Sequence, residues 1–339
     1  MKMIWYKRNG VFGLSFVWFL FLLPVYLSAQ NDFKLLDSSS CALAITHDTV
    51  DHFFERVQPL EVSILLKQAE WKDSIQESAA LALTERMQQY ALTPDDTQRK
   101  ILETSMKNAM DRSAPFLKKY PLPQIQLGLI EGTLYGPSVF YTRENGIYIP
   151  KDMVVSGNET TLTQILIHEI FHIQSRNYPT LQQKIYAEIG FIKLDRIPDM
   201  PAAFRSRILL NPDGTDWNFT IPLRLQDEEE LAYPMIVSNQ PQFDPAVPAF
   251  FAYLKFQLFP LYASDKGYEL DYTDDLNGLG QDWYGPFFQK ITNNTQYIIH
   301  PDELAADNFV LLTRRKAGEK LSLSPEGYKL LDRIEKHYK

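Results

Sequence analysis

The segment from Asn158 to Asn177 constrains this 339-residue chain more than any other. Between Leu162 and Ile173 apolar residues recur at helical spacing, and Asn158, Thr160 or Thr161 offers a cap, so the segment reads as a buried helix. It nonetheless carries His168, Glu169 and His172. Residues four apart share a helix face, so the two imidazoles can grip one metal ion while Glu169 addresses a water in an open coordination position. With six His and nineteen Glu in the chain, this pattern is expected by chance about 0.006 times. Two histidines and a carboxylate on an apolar helix each cost desolvation unless partnered. Metal ligation therefore outweighs a pair of satisfied core histidines.

The amino terminus sets the compartment. Lys2, Lys7 and Arg8 precede an apolar run from Val11 to Leu27, which ends in Leu27-Ser28-Ala29. That is the layout of a secretory signal peptide cleaved near Ala29; the run is short for a bilayer span and is interrupted by Pro24. Cleavage leaves no further membrane span and predicts an exported protein, periplasmic, envelope-bound or secreted. It also removes three positive charges, so 31 basic residues face 42 acidic ones, a net charge near −11. Such a chain gains nothing from counterion release on phosphate backbones, which argues against a nucleic-acid partner. Cys41 is the only cysteine, so no intrachain disulfide can form and stability must come from a core, which 45% hydrophobic composition supports.

Residues 30–120 read as a helical region, broken at Thr93-Pro94-Asp95-Asp96. Gln124–Ile130 and Ser138–Thr142 are rich in β-formers, and Arg143-Glu144-Asn145-Gly146 leads into Ile147-Tyr148-Ile149 as a hairpin, giving a small antiparallel sheet just before the metal-binding helix. Prolines at 201, 212, 222, 234, 241, 245 and 248 mark residues 195–250 as a loop-rich insertion with short strands at best. A last long helix is expected from Pro301 and a short charged one near Tyr328. The expected class is α+β and mostly helical, with a catalytic region over residues 121–339.

The His168–His172 segment resembles the active-site helix of the zincin metallopeptidases. The metzincin branch would require glycine at position 175 and histidine at position 178, where Ser175 and Tyr178 stand. The gluzincin branch takes a third ligand from a glutamate on a later helix, with an aspartate four residues on, and His300-Pro301-Asp302-Glu303-Leu304-Ala305-Ala306-Asp307 has that form. The resemblance thus implies a zincin-like fold holding one Zn²⁺ per chain through His168, His172 and Glu303, with Asp307 accepting the distal N–H of a ligand histidine and Glu169 as general base. Glu188 and Asp216 are rivals for the third ligand. His300 can line the site or cap a helix, whereas His47, His52 and His337 read as structural or exposed.

The implied function is an exported zinc peptidase acting on a peptide or protein substrate, with the hairpin near Tyr141–Ile149 offering a strand edge for an extended peptide. The transition state needs one donor besides the metal, and Tyr268, Tyr272 and Tyr284 are candidates. Two alternatives remain: a zincin-fold scaffold protein without turnover, and a zinc amidase acting on non-protein amides. The intact Glu169 favours an enzyme, because a scaffold has no use for a general base.

Overall fold

The computed structural model describes residues 33–339 except 214, 215, 266 and 293. The residues of the signal-peptide reading lie outside the described residues. The described residues form one compact unit.

Two sheets organise it. The first is built around β3 (Ile125–Ile130), whose alternating and then continuous burial places it in the interior. β1 (Phe33–Leu35) and β5 (Gly146–Pro150) flank it in parallel, β2 (Ala91–Leu92) joins its far end antiparallel, and β4 (Tyr141–Arg143) closes the edge antiparallel to β5. The expected hairpin is present: Arg143 pairs with Gly146 across Glu144-Asn145, and Glu144 takes the left-handed backbone the tight turn needs, at φ 53°. The expected small antiparallel sheet is instead a mixed one. β1 and β3 are separated by the whole helical front, so their parallel pairing lies beyond the reach of local sequence signals, unlike β3 itself and the hairpin.

That front comprises α1 (Ser38–Thr46), α2 (Phe53–Arg56), α3 (Pro59–Leu66), α4 (Gln76–Gln89) and α5 (Asp96–Leu117). α1 lies against β3, where Gly128 makes room: a Cβ there would meet the Cys41 sulfur at 2.6 Å. The break before α5 is a reciprocal cap, Asp95 accepting from the Gln98 N–H while the Gln98 side chain accepts from the Asp95 N–H. Because β1 sits in the same sheet as β3 and α5 packs on the metal-site helix, the front shares one body with the rest of the described chain.

α6 (Glu159–Asn177) carries His168, Glu169 and His172, and α7 (Pro179–Ile189) comes directly after it. Asn158 holds the cap position of α6, although its amide donates back to the Met153 carbonyl at 2.8 Å rather than capping. After β6 (Ile192–Lys193) and α8 (Ala202–Arg205) comes the main departure from the sequence reading. Inside the expected loop-rich insertion, β7 (Phe219–Leu225) and β8 (Glu228–Ser238) are regular strands, and with β9 (Leu254–Ser264) and β10 (Gly267–Leu270) beyond it they form an antiparallel sheet in the order β10-β9-β8-β7-β6. The prolines are tolerated by placement. β6 reaches only Phe219 and Thr220, so at Pro222 the strand has an open side where a missing N–H costs no ladder bond.

α9 (Tyr284–Ile291), α10 (Pro301–Lys316) and α11 (Pro325–Lys336) complete the chain. Pro301 begins α10 as the sequence predicts, where its absent N–H would have been unpaired anyway. The largest core cluster runs through α5, α6, α7, α10 and α11 and one face of the first sheet. Phe171 and Phe309, 5.6 Å apart between ring centroids, bind α6 to α10 and so fix the distance between the two site helices. Among the described residues no helix is long and apolar enough to cross a membrane.

Candidate metal centre

α6 and α10 bring His168, His172 and Glu303 together, with one ligating atom of each lying within 4.8 Å of the others. These residues are positioned to bind a metal ion. His172 and Glu303 are each 1% exposed, and the two imidazole rings stand 4.7 Å apart at 75°. Glu303 Oε2 lies 2.9 Å from His168 Nε2 and 3.5 Å from His172 Nε2. Its other oxygen, Oε1, accepts from the Asn211 side-chain amide at 2.5 Å.

The far nitrogens are also held. His168 Nδ1 meets Asp307 Oδ1 at 2.9 Å, the expected pairing. His172 Nδ1 donates to Asp302 Oδ2 at 2.7 Å, a role the sequence reading had not assigned. Asp302 is fully buried and is itself fixed by the Tyr186 hydroxyl at 2.6 Å and the Ser175 hydroxyl at 3.0 Å. Asp307 accepts a second, short hydrogen bond from the Thr295 hydroxyl. Both imidazoles therefore present Nε2 inward and are locked through Nδ1, the arrangement that sets tautomer and ring orientation for a ligand histidine.

The electrostatics ask for a cation. Burial opposes charge on His168, but its hydrogen bonds to Asp307 and Glu303 outweigh that and push the imidazole up to about 10. Burial would likewise raise Glu303, yet the His172 and His168 rings beside it hold its carboxyl well below the usual range. Among the described residues no Lys or Arg forms an ion pair with Asp302, Glu303 or Asp307. Two of the three carboxylates around the imidazoles, Asp302 and Glu303, are buried, and buried negative charge is costly without positive charge to answer it. His172 Nε2, buried without a hydrogen-bond partner, points to the same deficit.

Glu169 lies one residue along α6 and is 4% exposed, with Oε2 buried and unpartnered. Burial, helped by the negative Asp213 nearby, pushes its carboxyl up to about 8. Glu169, His172 and Asp213 form a second group whose atoms lie within 4.8 Å of one another. A cavity of about 570 Å³ opens onto His168, Glu169, Asp213, Glu303 and Tyr297. A larger cleft of about 710 Å³ between Pro222–Arg224 and Pro286–Lys290 holds no histidine and no part of this cluster.

The rival ligands are elsewhere. Glu188 pairs with Arg333 and His337, each at 2.9 Å, and the Asp216 carboxylate pairs with Arg56 at 2.6 Å. His300 caps α10: its Nδ1 accepts from the Asp302 N–H at 3.0 Å, so Nε2 carries the proton and donates to the Asp216 carbonyl at 2.8 Å. Neither nitrogen is left for a metal. His47 and His52 are exposed beside Glu144 and Glu55, as expected. Of the tyrosines named from sequence, Tyr268 and Tyr272 pack in a separate cluster and the Tyr284 hydroxyl donates to the Phe256 carbonyl. Tyr297, with its ring 6.1 Å from that of His168, lines the cavity instead.

Asp302, Asn211 and Asp213 were missed for different reasons. Asp302 precedes Glu303 in a helix start where acidic residues are common for dipole reasons alone. Asn211 and Asp213 sit in the proline-marked stretch that gave no helical or strand signal. The strand edge expected to receive a peptide is also partly taken, because the Thr142 N–H donates to Asp213 Oδ1 at 2.7 Å. Comparison with family models, with curated proteins and with solved structures finds no match to this chain.

Proposed function

We propose that the chain is an exported zinc-dependent hydrolase of amide bonds, a peptidase with a zincin-like, gluzincin-type site. The observation that carries this reading is the convergence of His168, His172 and Glu303 beside a cavity onto which His168, Glu303 and the unpartnered Glu169 carboxylate open. The donor set of two imidazoles and one carboxylate is the set zinc favours at sites that keep a coordination position open. A zinc ion held there would polarise the scissile carbonyl and acidify a water.

The chain's own groups supply the rest. Glu169 takes the proton from the attacking water on Oε2 and returns it to the leaving nitrogen. Burial and the negative Asp213 nearby raise the proton affinity of this carboxylate above the ordinary range, which favours taking a proton. Asp307 and Asp302 keep the His168 and His172 rings in place through Nδ1, and Asn211 stops Glu303 from turning away. Tyr297, on the cavity wall, is the hydroxyl donor available to the developing oxyanion. The amine left behind departs through the open cavity.

The test has two parts. Metal analysis of the mature protein should give one zinc per chain, and peptide-library digestion should show chelator-sensitive cleavage. Glu169→Gln should keep the zinc and lose cleavage. A zinc-loaded Glu169→Gln protein that cleaves as fast as wild type ends the mechanism, whereas zinc retention without any cleavage by wild type leaves a scaffold.

A further inference from the structure

Asp213 is the carboxylate of the cavity that the hydrolytic scheme does not use. It follows Asn211-Pro212 and is 4% exposed. Its Oδ1 is fixed by the Thr142 N–H at 2.7 Å and the Thr142 hydroxyl at 2.9 Å, and its backbone carbonyl accepts from Arg176 at 3.0 Å. The carboxylate is therefore rigid on the β4 edge. It lines the same cavity as Glu169 and stands within 4.8 Å of Glu169 and His172, measured between ligating atoms.

Charge shows what it faces. The cavity wall carries Glu169, Asp213, Glu303 and Asp307 and neither Lys nor Arg. One divalent ion with Glu303, and the His168–Asp307 pair, account for part of that charge. Among the described residues no Lys or Arg forms an ion pair with the Asp213 carboxylate: Arg176, whose charge reaches it, bonds its backbone carbonyl and pairs with Asp51. The buried, unpartnered Glu169 Oε2 marks the point in the cavity where a reacting group sits. A rigid carboxylate beside that point is suited to a positive group on the substrate itself.

We infer that Asp213 receives the free α-amino group of the residue whose carbonyl is attacked, so that the chain removes residues from peptide amino termini. This rests on the hydrolase reading above. Distance selects the α-amine over a lysine side chain. An α-nitrogen lies about 2.5 Å from its own carbonyl carbon, so an ammonium against Asp213 leaves that carbon beside Glu169. A lysine ammonium, four methylenes out, would carry its carbonyl away from the base. The wall supports the same direction of binding: Thr142 and Arg143, behind Asp213, are fully buried, so no chain continues past the carboxylate. The occupied Thr142 N–H also denies a longer substrate its backbone hydrogen bond at that point of the edge.

The experiment is calorimetric binding to the zinc-loaded protein of two probes, leucine hydroxamate and N-acetyl-leucine hydroxamate. They share a metal-binding group and differ in the amine. Wild type should prefer the free amine about tenfold or more, the worth of a hydrogen bond to a charged group. Asp213→Asn keeps the acceptor oxygen for Thr142 and should bring the two probes within about threefold while zinc stays at one per chain. Equal or tighter binding of the acetylated probe to wild type overturns the inference and leaves the hydrolase reading standing, and it needs no variant. A preference that survives Asp213→Asn also overturns it. So does a second bound zinc that disappears in Asp213→Asn, which would make Asp213 a metal ligand. Failure of zinc-loaded wild type to bind either hydroxamate overturns the hydrolase reading and this inference together.

Discussion

Two buried polar clusters among the described residues differ in kind: the one around α6 and α10 has the form of a site and the one between α3 and β4 does not. Around α6 and α10, the unpartnered atoms His172 Nε2 and Glu169 Oε2 belong to residues that share one group of ligating atoms, and Glu169 opens onto a cavity. Between α3 and β4, the unpartnered atoms are Glu61 Oε1, Arg143 Nε and Nη1, and the Tyr135 and Tyr148 hydroxyls. There Arg143 is fully buried, donates to the Pro212 carbonyl at 3.0 Å and lies 4.2 Å over the Phe53 ring. Glu61 takes the Leu210 N–H at 2.9 Å. This second cluster offers one cation and no paired imidazoles. Buried, perturbed groups are thus common to both, and what separates them is convergence on a shared point with a donor set of one chemical kind.

The largest effect that could break the contrast is loss of metal. His172→Ala should abolish zinc retention, measured by metal analysis after dialysis, while Arg143→Met should leave zinc at one per chain. Loss of zinc in Arg143→Met would make the two clusters one functional unit. Next, Asp302→Ala should weaken zinc binding about 10- to 100-fold, as removal of a histidine's outer partner does, in a competition titration against a chromophoric chelator. Unchanged affinity would mean that the Asp302–His172 hydrogen bond holds the fold rather than the ligand.

The third effect belongs to the other cluster and is read as pH dependence. Burial pushes the Glu61 carboxyl up to about 8 from 4.5, against the Leu210 hydrogen bond and the Arg143 charge. The folded state therefore binds a proton that the unfolded chain has released, so its contribution is complete below about 4.5 and is lost as pH rises toward 8. A tenfold change in proton affinity is worth about 1.4 kcal/mol, so the stability lost amounts to roughly a few kcal/mol. Urea unfolding of the zinc-loaded protein should show Glu61→Gln flattening the fall in stability between pH 5 and 8, with zinc content unchanged. A slope identical to wild type would remove Glu61 from the account. The smallest effect expected is none: Glu188→Ala should leave zinc affinity as it is, since that carboxylate is spent on Arg333 and His337.

The same contrast explains what could be read from sequence. His168, Glu169 and His172 are legible because one helix sets their spacing, and Glu303 with Asp307 because a second helix does. The hairpin at Glu144-Asn145 and the starts of α5 and α10 are legible because caps and turns are local chemistry. Asp213 and Asn211 reach the site only through tertiary placement of a stretch without periodicity. The antiparallel sheet of β6 to β10 is hidden by its prolines: Pro222, Pro234 and Pro260 argue against strands, and whether each is tolerated depends on which side of the strand has a neighbour.

Cys41 offers one more use of the packing at Gly128. Its thiol, on the face of α1 that meets β3, is fully buried, lies 3.8 Å from the Leu129 carbonyl, and is pushed up to about 12 by burial. Thiolate, the species that reacts with alkylating reagents, is thereby suppressed while the sheet and α1 stay together. With no second cysteine in the chain, the rate at which a thiol reagent is consumed counts openings of that interface. The native sequence thus carries its own exchange clock for the α1–β3 interface, readable without any introduced label.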